Sequence, residues 1–165
     1  MSENANNMNS GRPLPYNAEA EKTVLGACLL SEDAVIDLVS KLRPNNFFRP
    51  AHRIIFERIT DMFNRNVPVD SISLADALNR NNELEKIGGR SYIIDLSENT
   101  FDLSNWKHHS DIVKKDSVLR AIIQASFDIN SIAYNSSDDL SSIVEQSERA
   151  PFKATQQRVY SSFKG

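Results

Sequence analysis

The segment LPYNAEAEKTVLGACLL, residues 14–30, predicts the first helix of the chain. Asn17 is suited to cap it, because its side-chain oxygen can accept a hydrogen bond from a free N–H group of the first turn. We interpret Glu19 and Glu21 as acids that complement the positive helix end, rather than as paired acid and base catalysts. Apolar residues recur at three- and four-residue spacing, the period of an amphipathic helix, so Cys28 is expected to face the core.

Two further short helices are predicted directly downstream. The second covers about residues 32–41 and ends before Pro44, because proline disfavours a helical conformation in the residue that precedes it. The third begins at Pro50, since proline is favoured in the first helical turn. No segment of the chain shows the alternating pattern of a strand.

The fourth and fifth helices complete a predicted helical head. Ser71 or Ser73 could cap the fourth helix. Gly88 and Gly89 permit a tight turn with positive φ before a fifth helix over about residues 92–96. The head is therefore expected to be built from short helices only.

From Ser104, a candidate cap, the pattern changes to one long helix, since residues 105–134 contain neither Gly nor Pro. An apolar stripe along it has spacings of 4, 3, 4 and 3 residues, which is typical of one helix packed along another. The stripe consists of Val118, Ile122, Ala125, Ile129 and Ile132. A second stripe beside it consists of Leu119, Ile123 and Phe127.

A returning helix follows the polar break at residues 135–137, with Asp138 as its predicted cap. It carries Leu140, Ile143 and Val144. The predicted fold class is therefore all-α, with a globular head of short helices followed by a long antiparallel helical hairpin. Because the apolar stripes are wider than one neighbouring helix covers, a face of the hairpin is expected to bind a partner.

Composition and length place the chain among ordinary globular domains. Its 165 residues suffice for one core. It is 40% apolar and 25% charged, and no apolar run approaches the ~18 residues of a membrane-spanning helix. A single cysteine cannot build a disulfide framework, and the N-terminus lacks the features of a signal peptide. We therefore expect a cytoplasmic protein.

The net charge of −3 predicts weak or no direct DNA binding, because a broad basic footprint is missing. Two groups of basic residues are interpreted as solvated surface whose field is cancelled by acidic neighbours. They are Arg49, Arg53, Arg58 and Arg65 in one helical region, and Lys114, Lys115 and Arg120 in another. Trp106 could either wedge the hairpin against the head or belong to a binding patch.

Catalytic, cofactor and metal residues are not predicted. A P-loop needs the pattern G-x-x-x-x-G-K-[S/T], and the five glycines at 11, 26, 88, 89 and 165 do not form it. ATP hydrolysis by this chain alone is therefore not expected. His108 and His109 are adjacent on a helix, point about 100° apart and do not suit a metal site. His52 is interpreted as a capping or packing residue.

In their order and spacing, several segments resemble the amino-terminal domain of bacterial replicative DNA helicases of the DnaB family. They are LPYNAEAEKTVLG (14–26), FFRPAHRIIF (47–56), PVD (68–70), SLADAL (73–78), LEKIGG (84–89), 92–96, 99–100 and DIV (111–113). Together they cover about residues 14–150, although no single segment is diagnostic.

The resemblance implies the collar of a ring-shaped hexamer, in which hairpins pair between subunits and six domains form a trimer of dimers. It also implies docking of primase and, in some systems, of a helicase loader. ATP and Mg²⁺ would belong to a motor domain absent from the chain. The implied subunit-interface residues are Val118, Leu119, Ile122, Ile123, Ala125, Ile129, Ile132, Leu140, Ile143 and Val144.

The predicted organisation is a disordered tail at 1–13, the head at 14–103, the hairpin at 104–150, and the start of a linker to an absent ATPase domain at 151–165. Pro151 departs from the family pattern and predicts that the returning helix stops or kinks near Ala150. A rival hypothesis is a free-standing helical regulator that binds a helicase or DNA. A reading frame that continues into a P-loop would decide against that rival.

Overall fold

The computed structural model describes residues 12–100, 102–135 and 137–162, with side chains as far as Gln156. Within these residues the chain forms seven α-helices and three short 3₁₀ turns and no strand, which confirms the predicted all-α class. The helices are α1 (Ala18–Leu30), α2 (Glu32–Lys41), α3 (Pro50–Asn64), α4 (Ser71–Arg80), α5 (Gly89–Glu98), α6 (Trp106–Asn135) and α7 (Leu140–Ser162). Most of the predicted N-terminal tail lies outside the described residues.

Helix α1 is the centre of the head, where it contacts α2, α3, α5 and α6. All six residues from Val24 to Leu29 are buried, so α1 is enclosed on every side rather than amphipathic over its second half. Cys28 faces the core as predicted, and burial raises the pKa of its thiol to about 12. The first half of α6 joins this core through Val113.

Side-chain caps explain where two of the helices begin. Ala20 donates its backbone N–H to the Asn17 side chain at 2.9 Å, which confirms the predicted cap of α1. The predicted caps of α4 are wrong, because Ser73 donates its N–H to the Asp70 carboxylate at 2.8 Å. Asp70 has the extended backbone of a cap, whereas the two serines already lie inside the helix.

The entry to the long helix also differs from the prediction. Leu103–Asn105 forms a 3₁₀ turn, and α6 begins only at Trp106. Ser104 does not cap α6, since its N–H donates to the Asp102 carboxylate at 2.9 Å. The predicted glycine turn is confirmed, because Gly88 and Gly89 have φ values of 107° and 76°.

Helices α6 and α7 form the predicted antiparallel hairpin. The sequence predicted that α7 stops or kinks near Ala150. It does not stop there, because α7 runs to Ser162 with Pro151 inside it, while the kink stays a prediction. Proline in a helix interior costs about 3 kcal/mol, but Pro151 is exposed while the next turn buries Ala154. Packing of α7 on α6 therefore continues beyond Pro151, although proline has no backbone N–H to donate within the helix.

Polar contacts fix the hairpin on the head. Trp106 donates its indole N–H to the Asp37 carboxylate at 2.9 Å, and the buried Asn46 amide donates to the Ser117 hydroxyl at 3.0 Å. Trp106 therefore joins the hairpin to the head, which is one of the two roles predicted for it. The orientation of α6 relative to the head is set by these pairs together with its apolar contacts.

A close approach of α1 and α5 leads to a stability prediction. A Cβ on Gly26 would overlap both the Thr100 hydroxyl and the Leu96 carbonyl oxygen. We expect Gly26→Ala to lower the free energy of unfolding by about 2–3 kcal/mol, the upper range for overpacked cores, as measured by denaturant titration followed by circular dichroism. Adding Thr100→Ala should restore only part of this loss, because the backbone overlap remains. Full recovery in the double variant would contradict the explanation.

Candidate interaction surfaces

The ten predicted interface residues do not share one surface. Ala125 is buried, and Ile132 lines the same groove between α6 and α7. Ala150 and Ala154 line this groove from α7. Ala125 and Ile132 thus belong to the packing inside the hairpin. Four others are partly buried, namely Val118, Ile123, Ile129 and Ile143.

Four of the ten remain exposed apolar side chains. Leu119 and Ile122 on α6 are 38% and 45% exposed. Leu140 and Val144 on α7 are 76% and 47% exposed. At 3.6 residues per turn, both pairs lie on the flank of their helix beside the inner seam, and the antiparallel arrangement brings these flanks to the same side of the hairpin. We call these four residues the apolar flank.

A buried polar network links three helices of the head. The Glu21 side chain on α1 lies 2.7 Å from Nδ1 of His52 on α3, and Nε2 of His52 lies 2.5 Å from the Tyr92 hydroxyl on α5. Glu21 also accepts backbone N–H groups of Phe48 at 2.8 Å and Arg49 at 3.4 Å, just before α3 begins. Its carboxylate therefore fixes the entry to α3.

The electrostatics of this network favour an ionised Glu21. Burial alone would raise the pKa of Glu21, but the hydrogen bonds from His52 and from the Phe48 and Arg49 backbone outweigh it and hold the pKa below the ordinary value. A neutral His52 that donates from Nδ1 accepts the Tyr92 hydroxyl at Nε2. Burial raises the pKa of Tyr92, which keeps that hydroxyl protonated.

The sequence prediction for this network was only partly correct. His52 is a buried packing residue, as expected. Glu21 is not an exposed helix-end acid, because it is 1% exposed. Its position in a row with Val24 and Cys28, at three- and four-residue steps, was the signal that it points inward.

The basic residues also differ from the solvated-surface interpretation. Arg58 is largely buried and pairs with Glu83 at 2.6 Å. Arg53 donates to the carbonyl oxygens of Phe47 and Phe48 at 2.8 and 2.9 Å. Arg120 is partly buried and donates to other backbone carbonyls. These side chains have structural contacts, and only some are neutralised by acids.

Neither a metal site nor a membrane-spanning helix is found among the described residues. The rings of His108 and His109 lie 5.6 Å apart, centre to centre. Across the described ranges, no three His, Cys, Asp or Glu side chains are grouped so that they could hold a metal ion. None of the helices described combines the length and apolar character needed to cross a bilayer.

Comparison with known proteins identifies the family to which this helical head with its antiparallel hairpin belongs. The family model described as the DnaB-like helicase N-terminal domain matches residues 13–115. The chain belongs to this family. The predicted resemblance is therefore confirmed.

Relatives and solved structures agree with that assignment. The chain is 31% identical over 155 residues to the replicative DNA helicase DnaB of Geobacillus stearothermophilus, covering 94% of the chain and 34% of that protein. It is 29% identical to DnaB of Mycobacterium leprae, covering 93% of the chain and 26% of that protein. The crystal structure of the N-terminal domain of DnaB helicase from Mycobacterium tuberculosis matches with a TM-score of 0.82 and 30% identity, over 86% of this chain and 99% of that one.

A second solved structure supports the fold. It is described as a DnaB-like replicative helicase and its interactions with primase, and it matches with a TM-score of 0.67 and 21% identity over 90% of this chain and 35% of that one. The chain spans about a third or less of the length of the two curated relatives named above. Its 165 residues correspond to the N-terminal domain and do not include the ATPase motor.

Proposed function

We propose that this domain mediates subunit association in a hexameric helicase ring, through pairing of its hairpin with that of a neighbouring copy. The observation that carries this proposal is the apolar flank. Fully burying a side chain such as Leu or Ile stabilises by about 1.5–3 kcal/mol. In a two-fold symmetric contact, both copies of each flank residue, one from each subunit, are buried. A dimer of this kind is the unit from which a trimer of dimers would be built.

The same domain is proposed to dock primase or a helicase loader during DNA replication in the bacterial cytoplasm. Support for primase comes from the solved DnaB-like helicase that is described together with its primase interactions, whose fold this chain shares. The domain would need no cofactor of its own, and ATP and Mg²⁺ would be bound by the motor domain. Its contribution would be to organise the ring and to couple unwinding to priming.

Light scattering across micromolar concentrations tests the association. We expect a mass above the 18.6 kDa of a single chain, rising with concentration. A constant monomeric mass would contradict association through the hairpin. Addition of primase from the same organism should then give a heavier complex, whereas binding of an intact helicase as a separate partner would favour the free-standing regulator.

A further inference from the structure

Five cationic side chains surround the turn that precedes α3. Arg43, Arg49 and Arg53 come from the chain between α2 and α3 and from the start of α3, and Lys114 and Arg120 come from α6. Unlike Arg58 and Arg65, which pair with carboxylates, none of the five forms an ion pair with another described residue. We call these five residues the basic patch.

Backbone carbonyls, not carboxylates, hold three of these cations. Arg43 donates to the Val39 and Leu42 carbonyl oxygens at 3.1 and 2.9 Å. Arg120 donates to the carbonyl oxygens of Pro15 at 2.9 Å and Asn46 at 2.8 Å. Arg53 is held similarly by the turn that follows Asn46. These neutral acceptors orient the guanidinium groups without pairing them directly with a carboxylate.

Charges that face Arg120 and Lys114 are consistent with a positive surface. Burial and, less strongly, Arg53 lower the pKa of Arg120, while Glu21 and Asp116 act in the opposite direction. Glu21, whose pKa is held below the ordinary value, therefore offsets part of the positive charge near Arg120. Burial and the nearby Arg43 lower the pKa of Lys114. Two carboxylates, Glu21 and Asp116, thus act on Arg120, and neither forms an ion pair with it in the described residues.

An aromatic stack lies within the basic patch. The rings of Tyr16 and Phe48 are 4.3 Å apart at an angle of 18°, and the Arg120 guanidinium lies 5.4 Å from the centre of the Phe48 ring. Tyr16 is 44% exposed, so part of this residue is open to solvent beside the stack. Flat aromatic rings beside cations that have no direct carboxylate partner are the elements with which proteins bind single-stranded nucleic acid.

We propose that the basic patch and Tyr16 form a contact site for single-stranded DNA, with a base stacked on Tyr16 and phosphates near Arg43, Arg49 and Arg53. The exposed ring favours this ligand over an acidic polypeptide, which would use the cations alone. The net charge of −3 limits the affinity, so the contact is weak and local. It is independent of the proposed hairpin pairing, because the apolar flank contributes no residue to it.

The test is a titration of the chain with oligothymidylate, followed by NMR and fluorescence anisotropy at several salt concentrations. We expect shifts of backbone resonances in residues 14–16 and 43–53. The logarithm of the affinity should fall with the logarithm of salt concentration by about 0.7 per phosphate contact, giving a slope between about −1.4 and −2.1 for two or three contacts. Arg49→Gln should reduce that slope by one contact, since its exposed side chain has no ion pair in the described part of the chain.

Matched variants and probes make the proposal falsifiable. Tyr16→Leu should weaken binding several-fold and remove the preference for oligothymidylate over an abasic strand of equal charge. Arg80→Gln, an exposed arginine on α4, should have no effect. Circular dichroism checks that each variant keeps its helicity. Absence of shifts in these residues at low salt, or tighter binding of polyglutamate than of the oligonucleotide, would overturn the assignment to DNA.

Discussion

Replacement of Ile122 by Asp is expected to abolish self-association while the domain stays folded. Ile122 is 45% exposed on the apolar flank, so an aspartate is hydrated in the monomer and costs little there. In a paired hairpin the same carboxylate would be buried without a partner, which costs several kcal/mol. Since each 1.4 kcal/mol is a factor of ten, the dissociation constant should rise by about 100-fold or more.

Light scattering and circular dichroism together measure this effect. Ser131→Asp is the matched control, because Ser131 is exposed on the same helix but lies on a different side from Ile122. The control should keep the mass of the wild type, and both variants should keep its helical signal. An Ile122→Asp variant that associates as the wild type does would refute pairing through this flank, and global unfolding would show that Ile122 is part of the core.

Substitutions at the inner seam should behave differently. Ile132 lines the groove between α6 and α7, so Ile132→Asp is expected to separate the two helices and reduce helicity as well as association. Loss of both signals at Ile132, but of association alone at Ile122, would separate packing inside the hairpin from pairing between subunits.

Ile122 and Ile132 also show how much of the hairpin packing could be predicted from the sequence. The spacing of the stripe correctly predicted that α6 packs along another helix, but it placed Ile122 and Ile132 on one face. An α-helix has 3.6 residues per turn, so a repeat of 3.5 drifts around it. Which part of a wide stripe is covered depends on the partner helix. Ala150 and Ala154, which line the groove from that helix, flank the proline that was expected to end or kink it.

Local signals were otherwise reliable where they depend on neighbouring residues only. The Asn17 cap, the glycine turn and the start of α3 at Pro50 all follow from interactions within a few residues. The network of Glu21, His52 and Tyr92 spans separations of 31 and 40 residues, so its pairing depends on how the helices assemble. Likewise, the basic patch is assembled from two parts of the chain, the residues around the start of α3 and two residues of α6. The residues adjacent in sequence therefore could not predict that its cations form no ion pairs.

The Glu21 network leads to the largest expected change in stability. Glu21→Ala leaves His52 and the N–H groups of Phe48 and Arg49 without their acceptor in a buried place. Leaving a buried donor without an acceptor typically costs about 1–3 kcal/mol for each group. Glu19→Ala is the matched control, because Glu19 is exposed and pairs only with Lys22 at 3.2 Å. Its effect should stay within about 0.5 kcal/mol.

The pH dependence of unfolding distinguishes an ionised Glu21 from a merely well-packed side chain. Because the folded pKa of Glu21 lies below its ordinary value of 4.5, the unfolded state binds more protons in this range. The contribution of Glu21 to the free energy of unfolding is thus present above pH 4.5 and is lost as the pH falls through the folded pKa.

Denaturant titrations from neutral to acidic pH should show that the free energy of unfolding falls less steeply in Glu21→Gln than in the wild type. Some pH dependence will remain in both proteins, because the pKa of Asp37 is also lowered. Burial alone would raise the pKa of Asp37, but hydrogen bonds from Lys41 and Trp106 outweigh that effect. Equal slopes in the two proteins would show that Glu21 does not stabilise the head through its charge.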